Sequence, residues 1–222
     1  MEGSSVDFTK ARDNMIDSQL RTNKVTDERL LEAFATVPRE LFVPEERRGI
    51  AYVDEDIAIG EGRYLMEPMV LARLLQAAEI GSGDMLLDVG AGSGYASAIA
   101  AKLAATAVAL ELEAPLARQA DEILSDLGVD NAVVVQGPLT EGYAKQAPYN
   151  VILLSGAVAA VPEAISGQLA EDGRLVAVVD DGGGVGRAVL MQSVAGRLSS
   201  RPLFDASIPY LAGFEPEAGF RF

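Results

Sequence analysis

The sequence predicts an α/β protein: a mostly parallel sheet covered by helices, preceded by a helical appendage and closed by antiparallel edge strands. Three observations predict it. Between residues 85 and 179 short apolar runs alternate with helical segments, the pattern that a parallel sheet with crossover helices requires. The first run, Met85 to Val89, breaks into glycines at 90, 92 and 94 and then turns helical. Beyond Asp180-Asp181-Gly182-Gly183-Gly184, two strand-like stretches follow one another with no helix between them, which suits antiparallel pairing at one edge.

Near the N-terminus, Phe8, Ala11, Met15 and Leu20 fall close to one helical face, and Asn23-Lys24 marks a break. Thr26 is expected to cap a second helix that carries Leu30, Leu31, Phe34 and Val37 into Pro38. Pro68 suits a first helical position, and the broad stripe Met69, Val70, Leu71, Leu74, Leu75 and Ala78 after it reads as core packing. The sheet region then reads strand 85–89, helix from 94 to about 103, strand 107–111, and helix from about 115 to 127 with Gly128 as its C-cap. Strands 132–136 and 151–154, a helix from about 162 to 169 and strand 174–179 follow. Edge strands are expected near 188–194 and 202–208. The glycines at 182–186 have no Gly-Lys-Ser/Thr after them and read as a hairpin rather than a phosphate loop. Residues 1–68 are thus the helical appendage and 69–222 the sheet domain, packed as one compact unit.

Composition narrows the chemistry. A formal charge of −15 argues against a nucleic-acid partner, whose phosphates call for a basic surface. There is no cysteine and no histidine, which excludes disulfides, cysteine nucleophiles, Cys/His metal sites and histidine general bases. The first residues, Met1 to Ser5, lack a basic start and an apolar stretch, so cytoplasmic residence is expected. The longest weakly polar stretch, Ala147 to Pro162, is short of the roughly 20 residues that a membrane span needs, and no membrane partner is expected.

Leu86-Leu87-Asp88-Val89-Gly90-Ala91-Gly92-Ser93-Gly94-Tyr95 is shaped for a small cofactor. Glycines at 90 and 92 tolerate positive φ and let backbone press on a ligand, and Gly94 opens a helix whose first N–H groups point outward. A dinucleotide fingerprint would place its third glycine at position 95, where this chain has Tyr95. The G-x-G-x-G form with Asp88 before it instead resembles the loop of S-adenosylmethionine-dependent methyltransferases. A ribose anchor fits one strand later, where Ala107 to Leu110 ends in Glu111, whose two oxygens can accept both ribose hydroxyl protons.

Further blocks carry a family resemblance. Val37-Pro38-Arg39-Glu40-Leu41-Phe42-Val43-Pro44, Ala51-Tyr52-Val53-Asp54, Ile59-Gly60, the glycine loop, Leu127-Gly128-Val129-Asp130-Asn131, Ala147-Pro148-Tyr149, Val161-Pro162-Glu163 and Gly173-Arg174-Leu175-Val176 are similar to the protein-L-isoaspartate O-methyltransferase family, from about residue 30 to about 180. The resemblance implies a Rossmann-like methyltransferase sheet with a mixed C-terminal edge. It places Asp88, Gly90, Ala91, Gly92, Ser93 and Gly94 along the methionine and ribose of S-adenosylmethionine, with Glu111 and Leu112 beside the ribose. Gly137, Pro138 and Leu139 fall at the adenine, but Pro138 stands where the family has an acid that meets the adenine amine. Losing such a hydrogen bond costs on the order of 1 kcal/mol.

The acceptor site departs further. The family's Gly-Gln-Thr-Ile-Ser-x-Pro reads here Gly62-Arg63-Tyr64-Leu65-Met66-Glu67-Pro68, so Met66 replaces the serine and cannot donate to an oxygen. Glu67 adds negative charge that Arg63 could offset, and Tyr64 or Ser155 could supply the missing hydroxyl. An acceptor carboxylate, with a pKa of about 4, needs no base, which suits a chain without histidine. Ser155-Gly156-Ala157-Val158 lacks the Asn/Asp-Pro-Pro-Tyr of methyltransferases acting on amino groups. Three readings follow: a carboxyl O-methyltransferase acting on isoaspartyl or a similar carboxylate of a protein or peptide, a methyltransferase for an unrelated small molecule, and a catalytically silent S-adenosylmethionine-binding regulator. The oligomeric state is left open by the sequence.

Overall fold

The computed structural model describes residues 7–216. The N-terminal segment is helical, as its spacing predicts: α1 (Phe8–Met15) widens into a π turn over Ile16–Leu20, and Lys24 ends it in the left-handed region at φ 66°. The second helix, α2 (Glu28–Thr36), is capped by Asp27 rather than by the expected Thr26. Asp27 accepts from the Arg29 N–H at 2.9 Å, while the Thr26 N–H donates to Gln76 Oε1 at 2.6 Å. Gln76, on a later helix, also accepts from the Asp27 N–H, at 3.1 Å, so it fixes the backbone just before α2.

Two short strands precede that later helix, and the sequence reading has neither of them. Strand β1 (Ile57–Gly60) and strand β2 (Arg63–Leu65) form an antiparallel hairpin turned by Gly60, Glu61 and Gly62, all at positive φ. Helix α3 (Pro68–Ala78) begins at its proline and packs its apolar stripe on the sheet.

The sheet elements are β3 (Met85–Val89), α4 (Tyr95–Ala101), β4 (Thr106–Glu111), α5 (Ala114–Asp126), β5 (Ala132–Gln136), β6 (Tyr149–Val158), α6 (Glu163–Ser166), β7 (Leu169–Val179), β8 (Arg187–Val194) and β9 (Arg197–Asp205). They make a seven-stranded sheet in the order β5-β4-β3-β6-β7-β8-β9. The first five strands are parallel and the last two antiparallel. Strands β6 and β7 are longer than their apolar runs suggest, and α6 is a single turn.

Chain order reverses between β3 and β6, so a crevice opens at the C-terminal ends of these two strands, the usual ligand position in an open α/β sheet. After β9 the chain returns to this point. Ala157 N–H donates to the Pro209 carbonyl and Leu211 N–H to the Ala157 carbonyl, both at 2.9 Å, which lays residues 209–211 along the tip of β6. The appendage shares one core with the sheet: Phe34 and Phe42 meet Tyr95 of α4 edge-on, with ring centroids 6.1 and 5.3 Å away. Among the described residues, no helix is long and apolar enough to cross a membrane.

Candidate active site

The loop after β3 has the backbone its glycines predict. Gly90, Gly92 and Gly94 lie at φ 83°, 57° and 94°, and Ala91 and Ser93 are buried between them. The Ser93 hydroxyl donates to the Phe42 carbonyl at 2.6 Å, which ties the loop to the appendage. Gly94 permits close helix packing, since a Cβ there would sit 3.2 Å from the Ala120 Cβ of α5.

Glu111 ends β4 fully buried, and its carboxylate is crowded with donors. It accepts from the backbone N–H groups of Gly92 at 2.6 Å, Leu112 at 2.9 Å and Glu113 at 3.1 Å. Arg63, reaching in from β2, adds a fourth contact at 3.4 Å and donates to the Gly90 carbonyl at 2.7 Å. The sequence suggested that Arg63 offsets Glu67. It faces Glu111 instead, because the hairpin turns its side chain under the glycine loop.

Asp88 is also fully buried, and both of its oxygens are engaged. Ser97 donates to one at 2.7 Å and Ser155 to the other at 2.5 Å. Burial pushes the Asp88 carboxyl up to about 6, against the stabilising hydroxyls. Asp88 thereby fastens α4 and the tip of β6 to β3. At the turn expected to meet the adenine, Gly137 N–H donates to the Glu111 carbonyl at 3.0 Å, Pro138 is exposed, and Leu139 is buried.

The three acceptor positions do come together. Tyr64, Met66 and Ser155 line one cleft with Asp56, Arg63, Gly156 and residues 208–211. Tyr64 is 42% exposed, whereas Met66 is buried and its carbonyl accepts from Arg39 at 2.8 Å. Arg39 is itself fully buried, bonds the Ala51 carbonyl at 2.7 Å, and lies 4.9 Å over the Tyr95 ring. It fastens the Ala51 and Met66 carbonyls beside Tyr95 of α4, a role that sequence reasoning missed. Glu67 stands beside Asp56 and Asp54, and burial with that repulsion pushes its carboxyl up to about 7.

The cradle is filled from within. A Cβ on Gly90 would lie 2.5 Å from Leu211 and 2.6 Å from the Arg63 guanidinium, and one on Gly92 would lie 2.7 Å from Ile59. The adjoining cleft leaves about 10 Å³, near the space of one water, whereas small-molecule sites usually span about 300–1,000 Å³. The chemistry of loop backbone and strand-tip carboxylate suits an adenosyl group, and Ile59, Arg63 and Leu211 pack closely against the loop's glycines. Ile59 and Leu211 carry no polar group, which is why sequence reasoning passed over them.

A sheet that reverses beside a glycine loop, with an acid at the next strand tip, defines an α/β methyltransferase of the S-adenosylmethionine-dependent class. The model for Protein-L-isoaspartate(D-aspartate) O-methyltransferase (PCMT) matches residues 10–200. A protein-L-isoaspartate O-methyltransferase of Koribacter versatilis (strain Ellin345) is 41% identical over 206 residues, covering 93% of this chain and 92% of its own. One from Methanoculleus marisnigri is 39% identical over 170 residues, 77% of each chain. Among solved structures, a protein-L-isoaspartate O-methyltransferase superposes with a TM-score of 0.80 at 22% identity, covering 92% of this chain and 67% of that one. A putative Plasmodium falciparum protein of that name, in complex with S-adenosyl-L-homocysteine, gives 0.77 at 19% identity, covering 93% and 99%. The chain belongs to the protein-L-isoaspartate O-methyltransferase family.

Proposed function

We propose that this protein is a carboxyl O-methyltransferase that uses S-adenosylmethionine to methylate isoaspartyl, or a related exposed carboxylate, in a protein or peptide. The observation that carries this reading is Glu111 at the β4 tip, 2.6 Å from the Gly92 N–H, beside a glycine loop at the sheet's reversal point. Gly90 to Gly94 would meet the methionine and ribose portion, Glu111 and Leu112 the ribose hydroxyls, and Gly137 to Leu139 the adenine edge. When bound, S-adenosylmethionine supplies an electrophilic methyl group.

The chain's own part is positioning and exclusion of water. A carboxylate is already anionic at neutral pH, so the absence of histidine is no handicap. Ser155 and Gly156 leave a small wall at the β6 tip, and Met66 keeps the floor apolar. Among the described residues, Arg63 is the one cation lining the cleft, and Asp56 lines it as well.

Two observations favour a second reading, a cofactor-binding protein without catalysis: Met66 offers no donor to an acceptor oxygen, and the cradle is filled by side chains. Incubation with S-adenosylmethionine and an isoaspartyl peptide, followed by base, releases methanol under the first reading. Binding of S-adenosylhomocysteine with no methanol from any carboxylate peptide would favour the second.

A further inference from the structure

The β1–β2 hairpin ends in an arrangement that serves no acceptor chemistry. Arg63 is only 3% exposed, yet its Nε has no hydrogen-bond partner, and one guanidinium nitrogen serves both the Gly90 carbonyl and Glu111. A buried cation with an unmet donor is costly, so this seat is held incompletely. Ile59 on the other strand of the hairpin fills the space over Gly92, and Leu211 that over Gly90. The turn that joins the strands, Gly60-Glu61-Gly62, lies at positive φ throughout and is exposed.

We propose that the β1–β2 hairpin is an internal occupant of the cofactor cradle, with Arg63 against Glu111 where a ribose would sit and Ile59 against Gly92, so that the nucleoside enters only after the hairpin withdraws. This rests on the cofactor reading above. The hairpin and the nucleoside compete for the same carboxylate and the same glycine faces. Apparent affinity is therefore the intrinsic affinity reduced by the fraction of molecules with the hairpin out. The other Glu111 donors, the N–H groups of Gly92, Leu112 and Glu113, belong to the cradle itself and stay in place.

Calorimetry with S-adenosylhomocysteine on the full chain and on the variants Arg63→Gln and Ile59→Ala tests this. Each variant is expected to bind at least tenfold more tightly than the native chain. Hydrogen exchange supplies a second readout: with the ligand bound, amides of 57–65 are expected to exchange faster while those of 90–94 slow. Native affinity in both variants, or ligand-induced protection of 57–65, overturns the hairpin proposal and leaves the cofactor reading standing. No binding by the native chain or by either variant, all folded by circular dichroism, overturns the cofactor reading and the competition with it.

Discussion

Ser155 Oγ lies 2.5 Å from Asp88 Oδ1 and ties the tip of β6, which faces the acceptor cleft, to the tip of β3 beneath the glycine loop. The Ser155 proton is therefore committed to Asp88, and a hydroxyl for an acceptor oxygen would have to come at the expense of this bond. The Asp88 carboxyl is held at about 6, above its ordinary 3.8, because burial disfavours its charge. Its contribution to stability is full below pH 3.8 and is lost as pH rises through about 6. Asp88→Asn removes the titration. Urea midpoints measured from pH 4 to 7 are expected to fall less steeply with pH in the variant than in the native chain, and equal slopes would show that Asp88 does not titrate there.

Glu67 behaves in the same sense over a higher window. Its carboxyl rises from 4.5 to about 7, through burial and the nearby Asp56 and Asp54. Its stabilising contribution is full below pH 4.5 and gone above about pH 7. Glu67→Gln is expected to leave stability little changed at pH 5 and to raise it at pH 8. Thermal unfolding at the two pH values checks the difference, and a variant less stable at pH 8 would contradict it.

The buried pair of Arg63 and Glu111 gives a stability prediction that needs no ligand. Glu111→Ala strands three backbone N–H groups and leaves the Arg63 charge uncompensated. Breaking a buried pair from one side costs about 3–5 kcal/mol. In urea unfolding the double variant Glu111→Ala/Arg63→Ala should recover part of this loss, since the unpaired cation goes too. Strict additivity of the two single losses would mean that the residues do not interact.

Among the described residues Arg39 makes no ion pair, and it works through the Ala51 and Met66 carbonyls. A lysine in its place reaches at most one of these with comparable geometry, because it lacks the planar fork. Arg39→Lys is expected to lower unfolding free energy by about 1–3 kcal/mol, the cost of leaving a buried polar group unmet. Loss below about 0.5 kcal/mol, the range of ordinary surface changes, would show that Arg39 does not anchor this segment.

Met66→Ser restores a hydroxyl at the acceptor cleft. Methanol release from an isoaspartyl peptide at saturating S-adenosylmethionine should rise by about tenfold, the effect of a hydrogen bond worth about 1.4 kcal/mol made in the transition state. An unchanged rate in a folded variant would show that the missing hydroxyl is not what limits transfer.

The sheet was legible because its signals are local. Met85–Val89 and Ala132–Gln136 are recovered to the residue, and Gly128, at φ 66°, stands just beyond Leu127, which caps α5 in place of the expected glycine. The Asp27 cap was missed by one position because Thr26 and Asp27 are adjacent residues that both suit an N-cap. The β1–β2 hairpin escaped notice because three or four residues of alternation, Ile57-Ala58-Ile59, barely register as a strand. Its signal was the alternation followed by Gly60 and Gly62. The site divides the same way: Tyr64, Met66 and Ser155, on two separate segments, were brought together by the family resemblance, whereas the inward turn of Arg63 and the arrival of Leu211 from beyond β9 depend on long-range packing that no window of sequence contains.

Gly90 and Gly92 lend their missing side-chain volume to Leu211, Arg63 and Ile59 in the resting protein. A bulkier residue at either position would thus disturb the empty form as much as a loaded one. Damage from such a substitution is uninformative about ligand, and the diagnostic positions are the three guests rather than their host.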